Sequence, residues 1–181
     1  MPTELTPETE RALIQEFFAE ARQALHKYLT ERELALSNAQ LFALLLVSPI
    51  TIAIASDGSL DFSEVNMLVD IAAYFEKDVL PKQLDHFTQP ENVMSDNHFR
   101  KIVFSELRYL SLNMAEHEAD LLKALHKLIH LDDTVSRQQA SQFSVRQRIV
   151  EMMQSVIYNN LGPDAVEESK LQAVLQKLGL A

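Results

Sequence analysis

Three carboxylates, Asp57, Asp61 and Glu64, stand in one short stretch around Gly58. Oxygen donors beside a glycine turn can hold a hard cation. Asp57-Gly58-Ser59-Leu60-Asp61-Phe62-Ser63-Glu64 matches the second half of a calcium-binding EF-hand loop, with an acid, the turn glycine, an apolar residue two further on and a closing glutamate. The first half is missing, because Ala53 and Ala55 occupy the places of the first two carboxylates. An all-oxygen donor set suits weak binding of Ca²⁺ or Mg²⁺ better than Zn²⁺. The same residues also read as helix machinery. Gly58 supplies a positive φ after an apolar helix, and Asp61 and Glu64 form an Asp-x-x-Glu capping box for the next one. Capping accounts for two of the acids and leaves Asp57 over.

Other residues with chemical potential are placed relative to that turn. Sliding the chain by about 75 positions, in the search for stacked units that share a core, sets Ile54 on Ile129, Asp57 on Asp132 and Leu60 on Val135. Asp132-Asp133-Thr134 then reads as a second acidic turn, whose Asp132 and Asp133 complete the candidate metal ligands Asp57, Asp61 and Glu64. His126 and His130 are spaced i,i+4, as a zinc pair would be, but a wheel count turns them away from the stripe of Leu121, Leu125, Leu128 and Ile129. They read as a solvated flank beside Lys123 and Lys127. His117, with Glu116, Glu118 and Asp120, reads as an exposed first helical turn whose acids suit the helix dipole. Phosphate-cradling Gly-rich loops, a Gly-x-Ser-x-Gly elbow and His-Glu-x-x-His do not occur. The expectation is a protein without catalytic activity.

The elements that must position these groups are helical. Gly (3) and Pro (6) are scarce and hydrophobic residues make up 47% of the chain, with no run of alternating β-branched residues that would signal a strand. A compact all-α bundle of about seven to eight helices follows, arranged as one domain over residues 1–181. Its parts are an N-terminal helix within 1–38, a helix, acidic turn and helix over 39–80, a second such unit over 114–160, and a C-terminal helix over 163–181. Thr6 and Pro7 open the first helix, which the apolar spacing carries to about Leu36. Ser37 and Gln40 form a capping box for the most apolar helix, where Pro49 removes one amide donor and should kink or interrupt the run. A helix over about 62–77 and a short piece between Pro81 and Pro90 follow. Asn97 to Leu112 should bury Ile102, Leu107 and Leu110. Asn113 and Glu116 would cap a helix ending near Leu131, Val135 to Asn160 reads as one long helix, and the last helix should stop at Gly179.

Charge narrows the partners. The formal net charge is −10, and residues 57–96 hold nine acids against Lys77 and Lys82. Such a segment repels phosphate backbones, so nucleic acid is disfavoured, and cations or a basic protein partner are favoured. With no Cys, disulfides and thiolate metal sites are excluded, which fits a reducing compartment. The opening Met1-Pro2-Thr3-Glu4 carries no basic region, so a signal peptide is not expected. The apolar run from Leu41 to Ala55 is too short for a membrane span. Homo-oligomerisation stays open, through apolar residues left outside the first helix.

An apolar helix running into Ile54-Ala55-Ser56-Asp57-Gly58, with Leu60 and Glu64 beyond, resembles the tellurite-resistance TerB family and its wider TerB-like superfamily. The resemblance implies an all-helical cytoplasmic bacterial protein of two related halves. It further implies a divalent-cation site of acidic residues and a regulatory or stress-response setting. Asp57, Gly58 and Glu64 carry over directly, and Asp61 as an acid inside the motif. The second half departs from the family pattern: where members often repeat Asp-Gly and the closing Glu, this chain has Asp132-Asp133 and then Gln139. Without a metal, the same chain would be an interaction module that docks through its acidic residues 57–96.

Overall fold

A computed structural model describes residues 5–55, 66, 69, 96–136, 145–160 and 165–180. The described residues form an all-α bundle. Its helices are α1 (Pro7–Ala24), α2 (His26–Glu31), α3 (Asn38–Ile54), α4 (Asp96–Leu112), α5 (Met114–Ser136), α6 (Val145–Asn160) and α7 (Ala165–Lys177). The Asp57, Gly58, Asp61 and Glu64 turn, the expected helix over 62–77 and the piece between Pro81 and Pro90 lie outside the described residues, Asn66 and Val69 apart. Of the first unit of the proposed repeat, the helix before the acidic turn is thus in view, with Asn66 and Val69.

The centre of the bundle is α3, which touches α4, α5, α6 and α7. Its sequence explains why. Leu41 through Val47, Ile50, Ile52, Ala53 and Ile54 are all buried, so the helix is apolar on every side and must be enclosed by neighbours. Each large aliphatic side chain so buried contributes about 1.5–3 kcal/mol. The Ser37 and Gln40 capping box forms as expected, with Gln40 N donating to Ser37 Oγ (3.2 Å) and Ser37 N to Gln40 Oε1 (2.9 Å). Of the kink or interruption expected at Pro49, the interruption does not occur. The Leu45 carbonyl, deprived of a Pro49 donor, accepts a hydrogen bond from Ser48 Oγ at 2.7 Å. The hydroxyl beside the proline thus supplies the missing bond, and α3 continues to Ile54.

Around this centre, α1 packs along α5 through Phe17, Phe18 and Ala21, and Lys127 of α5 reaches Glu20 at 2.7 Å. Thr6 caps α1 and Pro7 occupies its first turn, as the sequence indicates. The first helical segment ends sooner than Leu36. Its backbone deviates at Leu25 and α2 stops at Glu31, where Glu33 adopts a left-handed φ of 52°. Leu34 N then bonds to Leu29 O and Glu33 N to Thr30 O, the paired hydrogen bonds of a Schellman ending. Gly179 (φ 68°) closes the chain after α7 in the same way, Leu180 N reaching Leu175 O.

The second half needs one larger correction. Asp132-Asp133-Thr134 is not a turn, because α5 runs unbroken from Met114 to Ser136 and includes Val135. The two acids have structural work at the end of that helix. Asp132 is buried, and its Oδ2 accepts from Val145 N, the first residue of α6, at 2.8 Å. Asp133 takes both arms of Arg146, Nε to Oδ1 at 2.9 Å and Nη2 to Oδ2 at 2.7 Å. That hydrogen bond is the main reason the guanidinium pKa is raised. Together the pair fixes where α6 starts against α5.

Candidate functional site

The polar groups that gather inside the bundle lie where α2, α4 and α5 meet. On α2 and its cap, Lys27 and Glu31 are four residues apart, as are Tyr28 and Arg32, so two polar pairs share one end of the helix. From α4 come Glu106 and Tyr109, one turn apart, and from the first turn of α5 come Glu116 and His117. The joint between α4 and α5 is tight. Both the backbone N (3.0 Å) and side-chain Nδ2 (2.9 Å) of Asn113 donate to Tyr109 O, and Glu116 N donates to Asn113 O (3.1 Å). The Asn113 amide therefore holds the end of α4, and the Glu116 carboxylate turns to Lys27.

One half of the cluster is saturated. Glu106 is 5% exposed and accepts three hydrogen bonds: Tyr28 Oη at 2.8 Å and Arg32 Nε at 3.0 Å on Oε2, and Arg32 Nη2 at 3.0 Å on Oε1. Arg32 also lies over the Tyr109 ring, 4.3 Å from its centre. Burial, followed by the Glu106 charge, pushes the Tyr28 phenol far above its ordinary pKa. The hydrogen bond to Glu106 raises Arg32. A buried carboxylate with a fork of guanidinium and a phenol has its charge matched and its lone pairs filled, which makes this half a brace between α2 and α4.

The other half is incomplete. His117 is 0% exposed, which corrects the expectation of an exposed first turn, and neither ring nitrogen has a hydrogen-bond partner. Its ring sits edge-on to Tyr28 (5.5 Å between centres) and tilted against Tyr109 (5.8 Å). Nε2 lies 3.5 Å from Glu31 Oε2, too far for a good hydrogen bond. Glu31, Glu116 and His117 each bring one donor atom into a group within 4.8 Å of one another. Both carboxylates are exposed and Lys27 bridges them, its Nζ 3.1 Å from Glu116 Oε2 and 3.9 Å from Glu31 Oε1. Tyr109 Oη donates to Glu31 Oε2 over a long 3.4 Å. Burying a polar atom without a partner costs about 1–3 kcal/mol, and the imidazole has two such atoms.

Of the residues singled out from sequence, Asp132 and Asp133 lie at the far end of α5 from this group. Asp57, Asp61 and Glu64 are outside the described residues. His126 and His130 are exposed, as the wheel count indicated. Comparison with known proteins finds no matching family model, no significantly similar curated protein and no significantly similar solved structure.

Proposed function

We propose that this chain is a non-catalytic helical protein that binds a divalent cation and acts as a regulatory module, in the manner the TerB resemblance implies. The observation that carries this reading is the His117 ring, fully buried, without a hydrogen bond at either nitrogen and grouped with two carboxylates. A polar group kept in that condition is costly to the fold, and a cation between Nε2 and the carboxylates would relieve part of the cost. The Asp57, Asp61 and Glu64 stretch supports the same reading from the sequence, as a second, all-oxygen locus for Ca²⁺ or Mg²⁺. A cytoplasmic, stress-response setting belongs to the TerB resemblance and is part of the proposal. No helix of the described residues is long and apolar enough to cross a membrane.

Calorimetric titration with Ca²⁺, Mg²⁺, Mn²⁺ and Zn²⁺ tests the reading. Binding should weaken in Glu31→Gln/Glu116→Gln, in Asp57→Asn/Glu64→Gln, or in both. No heat with any ion at millimolar concentration, or heat unchanged in both double variants, would overturn it. The nine acids of residues 57–96 support a second reading, a salt-sensitive complex with a basic protein. A complex whose affinity ignores ionic strength would end that one.

A further inference from the structure

We infer that Glu31, Glu116 and His117 form a site selective for a first-row transition ion of the Zn²⁺ class over Ca²⁺ and Mg²⁺, and that the ion replaces the Lys27 ammonium and staples α2 to the start of α5. This rests on the cation-binding reading above and adds the identity and the effect of the ion. Selectivity follows from the donor set. One imidazole nitrogen and two carboxylate oxygens suit Zn²⁺, Co²⁺ or Ni²⁺, whereas Ca²⁺ takes oxygen ligands and Mg²⁺ sheds its water reluctantly.

The distances fit the same class. Two donors each about 2.05 Å from a tetrahedral ion lie about 3.3 Å apart. His117 Nε2 and Glu31 Oε2 stand at 3.5 Å, longer than a hydrogen bond and close to that ligand-to-ligand spacing. The third donor, from Glu116, lies within 4.8 Å of the others, and its side chain is exposed. His117 is fixed by its aromatic neighbours Tyr28 and Tyr109, so the buried nitrogen is the preorganised ligand and the carboxylates close on it.

The effect follows from which elements supply the donors. Glu31 is the last residue of α2, followed at once by the left-handed turn at Glu33, while Glu116 and His117 open α5. With the ammonium in place, the Lys27 link from α2 to α5 is one exposed ion pair with Glu116, of little worth. With an ion in place the two helices are joined by coordinate bonds. The Lys27 ammonium, 3.1 Å from Glu116 Oε2 and 3.9 Å from Glu31 Oε1, is the resident counter-charge that an ion must displace.

The test uses the full chain carrying His126→Gln/His130→Gln, which removes the exposed i,i+4 pair as a competing zinc site. Zn²⁺, Co²⁺, Ca²⁺ and Mg²⁺ are titrated separately by calorimetry, with the visible spectrum of Co²⁺ and hydrogen exchange of the Leu29 to Arg32 amides as further readouts. Zn²⁺ should bind at least tenfold more tightly than Ca²⁺ or Mg²⁺ and slow exchange in α2. His117→Gln should weaken Zn²⁺ at least tenfold, and Lys27→Met should strengthen it severalfold, which a merely structural lysine would not do. If His117→Gln does not fold, Glu31→Gln/Glu116→Gln, altered at two exposed positions, must show the same loss. Binding of Ca²⁺ or Mg²⁺ as tight as Zn²⁺ would overturn the selectivity and leave the cation reading standing. Zn²⁺ binding indifferent to His117, Glu31 and Glu116 would place the ion elsewhere and overturn the inference. No binding of any ion would sink both.

Discussion

Replacing Glu106 by leucine isolates what the buried brace contributes. The carboxylate is 5% exposed and receives three hydrogen bonds, one from Tyr28 and two from Arg32. The two donors fare differently once it is gone. Arg32 has a side chain 31% exposed and can turn to water. Tyr28 is 0% exposed and cannot, so its hydroxyl is left buried without a partner at a cost of about 1–3 kcal/mol. With the lost charge-assisted bonds to Arg32, discounted for that exposure, Glu106→Leu should cost about 3 kcal/mol in all. Tyr28→Phe alone should cost about 1–1.5 kcal/mol, because Glu106 keeps both guanidinium bonds. In the Glu106→Leu background the phenylalanine removes an orphaned hydroxyl. The double variant should therefore be about 1–2 kcal/mol more stable than Glu106→Leu by itself. Urea unfolding at neutral pH measures all four proteins, with the slope of each transition checked for constancy. If Tyr28→Phe destabilises the leucine background as much as the parent, the effects are additive and the Tyr28 to Glu106 bond is not what the two residues contribute.

The remaining predictions concern pH, a turn and the α5 to α6 joint. Tyr28 has a folded-state pKa raised above its unfolded value, so its contribution is complete below about pH 10 and is lost as pH rises from there toward the folded pKa, at about 1.4 kcal/mol per pH unit. Measured from pH 9 to pH 11, the stability advantage of the parent over Tyr28→Phe should shrink by about that amount, and a constant gap would mean that the phenol ionises as freely in the folded protein as in the unfolded chain. Glu33 pays for a left-handed φ that glycine adopts freely, so Glu33→Gly should raise the urea midpoint by a net gain of about 0.5 kcal/mol, and a loss would show that its side chain holds something the backbone does not need. Asp132→Ala strips a buried acceptor from Val145 N and should cost about 1–3 kcal/mol, whereas Asp133→Ala breaks a partly exposed pair and should cost under about 1 kcal/mol. Thermal denaturation of the two decides, and the reverse order would refute burial as the deciding variable.

Much of the fold is legible in the sequence because local rules act alone there. Thr6 with Pro7, Ser37 with Gln40, and Gly179 each decide a helix end within a few residues, and each does so in the structure. Where a second residue repairs or replaces the local signal, the reading goes astray. Ser48 offsets the missing donor of Pro49, so α3 is not broken. Glu33 stops the N-terminal segment in a conformation usually left to glycine, so an ending at Glu31 has no compositional mark.

The site is masked in the sequence for a different reason: its titratable residues stand among exposed charges but share a helix face with leucines. The buried face of α5 is Met114, His117, Leu121, Ala124, Leu125, Leu128, Ile129, Leu131, Asp132 and Val135, each three or four residues from another of the set. His117 and Asp132 sit in register with leucines, and Glu106 does the same on α4 between Val103 and Leu110. The wheel count that set His126 and His130 outside therefore also places His117 inside, one turn before Leu121. A titratable residue in phase with an apolar stripe must have a partner or be a cost to the fold. Asp132 finds the end of α6 and Glu106 finds Tyr28 and Arg32, partners that come from elsewhere in the chain and leave no local trace. Among these three, His117 alone has no hydrogen bond to show for its burial, and for that reason it, rather than the acidic turns, is where a ligand should be sought.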